Sequence, residues 1–190
     1  MPLIVDRAQI EKDIVLAFHE CMTEKPITKI SMREIASRAK MSHAKILYYF
    51  ESKEQLLLAY VNFVTNKYVD FFHQWLIDIR EKQLHYANGK ECINLLLKET
   101  INLDHCTYTS PFVQIYILGQ FNDDIKSKIE QTYASWRHGI NNILYELYGT
   151  SMEETAEALL VLIEGLFLYT LNDTITNEHI ESLIDNLSLL

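Results

Sequence analysis

From Ile27 through Asn88 the chain contains neither a glycine nor a proline. Strands in a compact protein need turn residues roughly every 8–12 positions, so a stretch this long without either breaker is built from helices. An all-β fold is excluded. The 190 residues suffice for one large domain or two small ones. With 48% apolar and 23% charged residues, the chain can bury a core and is unlike a disordered polymer. The expected fold class is all-α.

Cys21, Cys92 and Cys106 are an odd set with no C-x-x-C spacing, which argues against a disulfide framework or zinc site and suits a reducing compartment. The apolar run at the N-terminus is too short for a secretory signal. The longest uninterrupted apolar run is the six residues Ala158 to Ile163, whereas a membrane span needs about 20. We therefore expect a cytoplasmic protein with no membrane partner, and nothing in the sequence implies a cofactor.

The net charge of −9 is unevenly spread. Residues 1–55 hold nine basic and eight acidic side chains, and 56–190 hold eight and eighteen. Within 26–50, Lys29, Arg33, Arg38, Lys40 and Lys45 face the single acid Glu34. A basic segment inside an acidic protein is either a footprint for phosphate or a solvated face.

Asp6 is placed to cap a helix through Ile10, Ile14, Phe18 and Met22, stopped before Pro26. Ser31-Met32-Arg33-Glu34, Ser52-Lys53-Glu54-Gln55 and Ser151-Met152-Glu153-Glu154 each read as a capping box. Ser42 caps a short helix from His43 to Phe50, and the helix from Ser52 is long, running towards Ile79. Further helices are expected after Gly89, from Pro111, from Asp123 or Asp124 to Gly149, from Ser151 to Leu171, and from Asn177. Nine helices result, with a boundary near 51 between an N-terminal part, 1–51, and a C-terminal part, 52–190.

Three short helices followed by a long one is the plan of a helix-turn-helix domain, whose second helix lays its N-terminal residues on base edges in the major groove. Here the supporting helix is Ser31 to Ala39 and the reading helix His43 to Phe50. At 100° per residue, His43, Ile46, Leu47 and Phe50 share one side, and Ala44, Lys45, Tyr48 and Tyr49 the other. The stretch from Ser31 to Leu56, above all Tyr49-Phe50-x-Ser52-Lys53-x-x-Leu56, closely resembles the DNA-binding domain of the tetracycline-repressor (TetR) family of bacterial regulators.

That resemblance implies a three-helix DNA-binding domain joined to a helical ligand-binding and dimerisation domain. It implies that Arg33 and Ser42 to Lys45 (Ser42, His43, Ala44, Lys45) approach bases, that Tyr49 and Lys53 hold phosphates, and that Ser31 and Tyr48 complete the DNA-binding set. Two positions depart from the family pattern. Glycine is common where this chain has Lys40, and a lysine in a left-handed turn costs roughly 1 kcal/mol. Tyrosine is common where it has Leu47, whose backbone contact Tyr48 would take over. Each residue also has a plainer reading: packing for Tyr48 or Tyr49, a solvated lysine for Lys53, a surface residue for His43, and an ion pair of Arg33 with Glu34 or Glu54.

Of the 21 aromatic residues, 15 lie between Tyr60 and Tyr148. They form either an aromatic core or the wall of a pocket for an apolar or aromatic small-molecule effector. Phe72, Trp75, His105, Tyr108, Phe112, Tyr116, Tyr133 and Trp136 are the candidate lining residues. No G-x-S-x-G, Walker-type glycine loop or H-E-x-x-H occurs, and the seven histidines show no metal spacing, so neither a catalytic set nor a metal site is expected.

The segment Ala158 to Leu171 is apolar almost all round, so one face is expected to pack on its own domain and the other on a second chain. Leu159, Leu162, Gly165, Leu166 and Tyr169, with Ile180 and Ile184 of the last helix, are the candidate dimer residues. The function these features favour is a ligand-responsive transcriptional regulator, a repressor, binding a palindromic operator in double-stranded DNA as a homodimer. The alternatives are an all-α small-molecule-binding or enzymatic bundle with no specific DNA binding, and a helix-turn-helix module that docks proteins.

Overall fold

In the computed structural model of the chain, residues 6–81, 89–102, 107–171 and 176–186 are described, and their regular structure is entirely helical. The nine α-helices among the described residues are α1 (Arg7–Glu24), α2 (Met32–Arg38), α3 (His43–Tyr49), α4 (Lys53–Glu81), α5 (Gly89–Asn102), α6 (Thr109–Gly119), α7 (Asp123–Tyr148), α8 (Glu153–Thr170) and α9 (Asn177–Asn186). One short 3-10 turn, Ile27–Lys29, follows α1.

Local sequence explains most of the helix starts. The side chains of Asp6, Ser31, Ser42 and Ser52 accept hydrogen bonds from the backbone N–H three residues on, as expected of N-caps. Gln55 accepts the Glu51 N–H at 3.0 Å, tightening the α4 start. Two expectations need correction. Ser151 does not cap α8: its hydroxyl bonds Asn141, whose Oδ1 accepts the Met152 N–H at 2.8 Å. The helix α7 begins at Asp123, as expected, with Asn122 as its cap, accepting from the Ile125 N–H at 3.0 Å. Pro111 occupies the third position of α6 instead of the first, still within the turn where a missing N–H is harmless. Gly149 ends α7 at φ +70°, a left-handed value that a side chain disfavours.

The chain forms two compact units. The first comprises Met1–Val64 with Ser110–Glu130. Its core includes Ile14, Phe18 and Met22 of α1, Ile35 of α2, Ile46 of α3, Leu56 and Tyr60 of α4 and Ile115 of α6, all buried. The Phe18 and Tyr60 rings meet edge to face at 6.1 Å, and His19 Nδ1 lies 2.9 Å from the Tyr60 hydroxyl. Burial of each large side chain contributes about 1.5–3 kcal/mol, enough to hold the seven-residue helices α2 and α3, which are too short to persist alone.

The second unit comprises Thr65–Thr109 with Gln131–Leu190. Here Phe72, Ile93, Leu97, Ile140, Leu144, Leu159, Ile163, Ile180 and Ile184 are buried. Gly139 sets how closely α4 and α7 approach: a Cβ there would lie 2.9 Å from Phe72 Cδ2. Among its buried polar groups, the Thr65 and Thr132 hydroxyls lie 2.8 Å apart and Trp136 Nε1 donates to the Thr65 carbonyl at 3.2 Å. Lys98 and Asp185 join α5 to α9 by an ion pair of 2.7 Å.

Candidate functional site

The turn between α2 and α3 is a Schellman motif built on Lys40. The Met41 N–H reaches back to the Ala36 carbonyl at 2.9 Å and the Lys40 N–H to the Ser37 carbonyl at 3.1 Å. Closing that pair of bonds puts Lys40 at φ +54°, the left-handed conformation expected at this position. The two hydrogen bonds hold this sharp exit from α2 against the Cβ strain of a lysine in that region.

Ile46 is fully buried and Phe50 nearly so, which anchors one side of α3 in the first unit. Ala44, Lys45 and Tyr48 face solvent, Tyr48 at 72% exposure, while Tyr49 is half-buried. Tyr48 and Tyr49 pack edge to face at 5.2 Å, and the Arg7 guanidinium lies 5.6 Å from the Tyr49 ring centre. Arg7 was not foreseen; no local pattern links the start of α1 to α3. Leu47 is a correction. It is 37% exposed, on the outward side and not in the core, because Ile46 and Phe50 already fill the contact with the rest of the unit.

The basic cluster is thinned by pairing. Arg38 makes two hydrogen bonds to the Glu24 carboxylate, at 2.7 and 2.5 Å, which raise its pKa further and lower that of Glu24. Lys25 pairs with Glu34 at 2.5 Å. Glu54 is taken by Asn122 Nδ2. Both acids proposed as partners for Arg33 are thus engaged elsewhere, and Arg33 is exposed without an ion pair among the described residues. Lys29, Lys40 and Lys45 stand likewise. Ser31 and Ser42 are exposed beside their cap bonds, and His43 is half-buried at the start of α3. Lys53 is not simply solvated: its ammonium donates to the carbonyl oxygens of Ile27 and Ile30, at 3.1 Å each, leaving one N–H for another acceptor.

Four cations unpaired among the described residues, on the 3-10 turn, α2, the turn and α3, together with the exposed Tyr48 of a firmly anchored short helix, suit a polyanion. Residues 14–60 match the family described as bacterial regulatory proteins, tetR family. Residues 14–60 are thus a tetR-family helix-turn-helix segment, the head of the chain.

No curated protein matches the chain, but solved structures match it along nearly its whole length. A transcriptional regulator from Streptomyces coelicolor A3(2) is 22% identical, with a TM-score of 0.68 over 93% of this chain and 96% of that one. A TetR transcription regulator from Haloarcula marismortui is 17% identical, with a TM-score of 0.71 over 94% of each. The regulator FadR from Bacillus subtilis, solved with stearoyl-CoA, is 20% identical, with a TM-score of 0.68 over 92% and 93%. The tetR head is thus followed by helices in the fold of these regulators, and no described helix is long and apolar enough to cross a membrane.

The aromatic residues separate into groups. Tyr133 and Trp136 do come together, their rings at 5.7 Å, and two residues the sequence did not single out extend the cluster: Tyr68 lies 5.1 Å from Trp136 and 6.1 Å from Phe167. Burial pushes the Glu164 carboxyl up to about 7, against a hydrogen bond from Tyr133 that lowers it. A lone acid interrupting the apolar run of α8 was the available signal. Phe72 and Trp75 are buried, Trp75 Nε1 bonding Glu99 at 2.8 Å, and Tyr108 holds the Lys67 ammonium 4.3 Å from its ring centre. A cleft of about 250 Å³ opens beside Phe72, between His73 of α4 and His138 of α7. Phe112 and Tyr116 belong to the first unit, Phe112 buried and Tyr116 exposed. His105 lies outside the described residues.

Of the dimer candidates, Leu159, Leu166, Ile180 and Ile184 are buried within the second unit, so Leu166 is not outward as expected. The helix turns it inward beside Phe167 and Ile163 to complete its own core. Leu162 and Gly165 are half-buried, and Tyr169 is exposed along with Val161, Leu168 and Leu183, which the sequence did not select. Leu162, Gly165, Leu166, Tyr169 and Ile180 line an apolar groove of about 410 Å³ with Val161 and Leu183.

Proposed function

We propose that the protein is a cytoplasmic transcriptional repressor that binds a palindromic DNA operator as a homodimer and is released by a small apolar or aromatic effector. The observation that carries this reading is the outward face of α3. Ala44, Lys45, Leu47 and Tyr48 are exposed on a helix whose other side is locked by Ile46 and Phe50. Ser42 to Lys45 lie at its N-terminal end, where side chains reach base edges when such a helix enters the major groove. Arg33 and Ser31 stand at the start of the supporting helix, and Tyr48, Tyr49 and the third N–H of Lys53 supply phosphate contacts.

In this reading 1–51 is the DNA-reading part and 52–190 the effector-binding and dimerising part. The aromatic cluster of Tyr68, Tyr133, Trp136 and Phe167 favours an apolar or aromatic effector. The stearoyl-CoA on the similar FadR adds long acyl chains to the classes worth testing. The apolar groove on α8 and α9, where a Cβ on Gly165 would meet nothing within 4 Å, favours a second copy of the chain across a two-fold axis.

Selection of bound sequences from a random duplex pool tests the function directly. The expected product is a palindrome with half-sites about one helical turn apart, or a multiple of it. Lys53→Ala should weaken binding to every duplex and lower the salt slope by about one, with a larger loss on the selected duplex because the Ile27 and Ile30 carbonyls lose their donor, whereas Lys45→Ala should change the preferred sequence. Recovery of no sequence preference by the unaltered protein refutes the reading.

A further inference from the structure

The connection between α1 and α2 cannot satisfy its own backbone. The helical partner of the Met22 carbonyl would be the N–H of residue 26, and residue 26 is proline, which has none. The N–H of Ile27 opens the 3-10 turn and so has no partner within it. One side chain from a distant helix takes both groups. Gln114 of α6 accepts the Ile27 N–H through Oε1 at 2.9 Å and donates from Nε2 to the Met22 carbonyl at 3.2 Å. Its partners are 87 and 92 residues away in the chain, inside the same compact unit. Lys53 of α4 takes the Ile27 and Ile30 carbonyls. The next residue, Ser31, is the cap of α2, and α2 packs on both α1 and α3. The connection therefore decides where the helix-turn-helix begins.

We propose that Gln114 is a positioning residue for DNA recognition. It touches no DNA, but its amide holds the α1–α2 connection, and with it α2 and α3, in the arrangement that fits the major groove. This rests on the DNA-reading function proposed above. Only a neutral amide can serve both groups at once, since one backbone partner is a donor and the other an acceptor. Leucine serves neither, and an ionised glutamate serves only the Ile27 N–H.

The test compares the unaltered protein, Gln114→Leu and Gln114→Glu at pH 8, on the duplex that the unaltered protein selects and on an unrelated duplex, over a salt series. Loss of the two bonds should weaken the leucine variant about tenfold on the selected duplex. Binding to the unrelated duplex should stay within about twofold and the salt slope should be unchanged, because no phosphate contact is removed. The glutamate variant should fall between the two. Exchange of the Ile27 amide, followed in DNA-free protein, should quicken in the leucine variant. A leucine variant that binds the selected duplex like the parent while its Ile27 amide exchanges faster overturns the proposal. So does an equal loss on both duplexes. If the leucine variant does not fold, parental affinity and specificity in the glutamate variant overturn it instead. A parent that selects no duplex refutes the DNA-reading function itself, and this role with it.

Discussion

Lys40 shows how one residue can be costly where it sits and still be in place. Its φ of +54° closes the Schellman motif, yet a side chain in that region costs about 1 kcal/mol relative to glycine. Lys40→Gly should therefore raise the melting temperature by about 2–4 °C, read by thermal denaturation at neutral pH. An unchanged or lower value would mean that the backbone strain is relieved elsewhere. Glu164 is the complementary case of a titrating group. Burial raises its carboxyl from 4.5 to about 7, so the folded protein holds that proton more tightly than the unfolded chain does. Its contribution to stability improves as pH falls from about 7 towards 4.5 and is least favourable above 7. Glu164→Gln should remove this dependence and stabilise the protein at pH 8 by roughly 1–3 kcal/mol, measured by denaturant titration at pH 5.5 and pH 8. A parent and variant with parallel pH profiles would show that the carboxyl is solvated.

At the scale of the element, α3 depends on its ends as much as on its core face. Seven residues give few internal hydrogen bonds, and Ser42 supplies the cap for the Lys45 N–H at 3.1 Å. Ser42→Ala should cost about 1 kcal/mol and fray the first turn, where Ala44 and Lys45 lie. Amide exchange should accelerate at Lys45 while that of Leu56, in α4, stays as it was. Uniform acceleration through both helices would show that α3 does not open separately. The caps also mark which elements a short window of sequence can reveal. Ser31, Ser42 and Ser52 act on N–H groups three residues away, so their pattern is visible in the chain. Ser151 is instead drawn to Asn141 of α7, which also accepts the Met152 N–H from eleven residues earlier and leaves α8 without a side-chain cap, a pairing that no capping rule reveals.

At the scale of the whole molecule, the exposed apolar strip of α8 and α9 is the feature that a single chain leaves unfinished. Val161 is 64% exposed, Tyr169 62%, Leu168 48% and Leu183 42%, around the groove at Gly165. Val161→Glu leaves the protomer's own core intact, because that side chain is outside it. It should turn a dimer into a folded monomer with parental helix content, seen by sedimentation at micromolar concentration. Specific DNA affinity should fall with it, since a single head reads only half of a palindrome. A variant that sediments as the parent does would place the interface elsewhere.

The all-α class, the helix-turn-helix and its outward face were legible in the chain because they follow from short-range rules. A helix start needs a cap three residues from its target, and a buried stripe needs apolar positions three and four apart. The left-handed turn at Lys40 is instead implied by the family resemblance, in which glycine is common at that position. Other features were decided only when distant segments met. The sequence marks Leu159, Leu166, Ile180 and Ile184 as apolar but not which face each would occupy, and tertiary packing turned all four into their own unit's core. Lys53 looked like a free cation until the carbonyls of Ile27 and Ile30 came within 3.1 Å. Gln114 carried no signal at all, because an amide's role is set by whichever unpaired backbone groups the fold brings to it. Periodicity and caps are properties of neighbouring residues, whereas the partners of a buried polar group are chosen by packing across the chain.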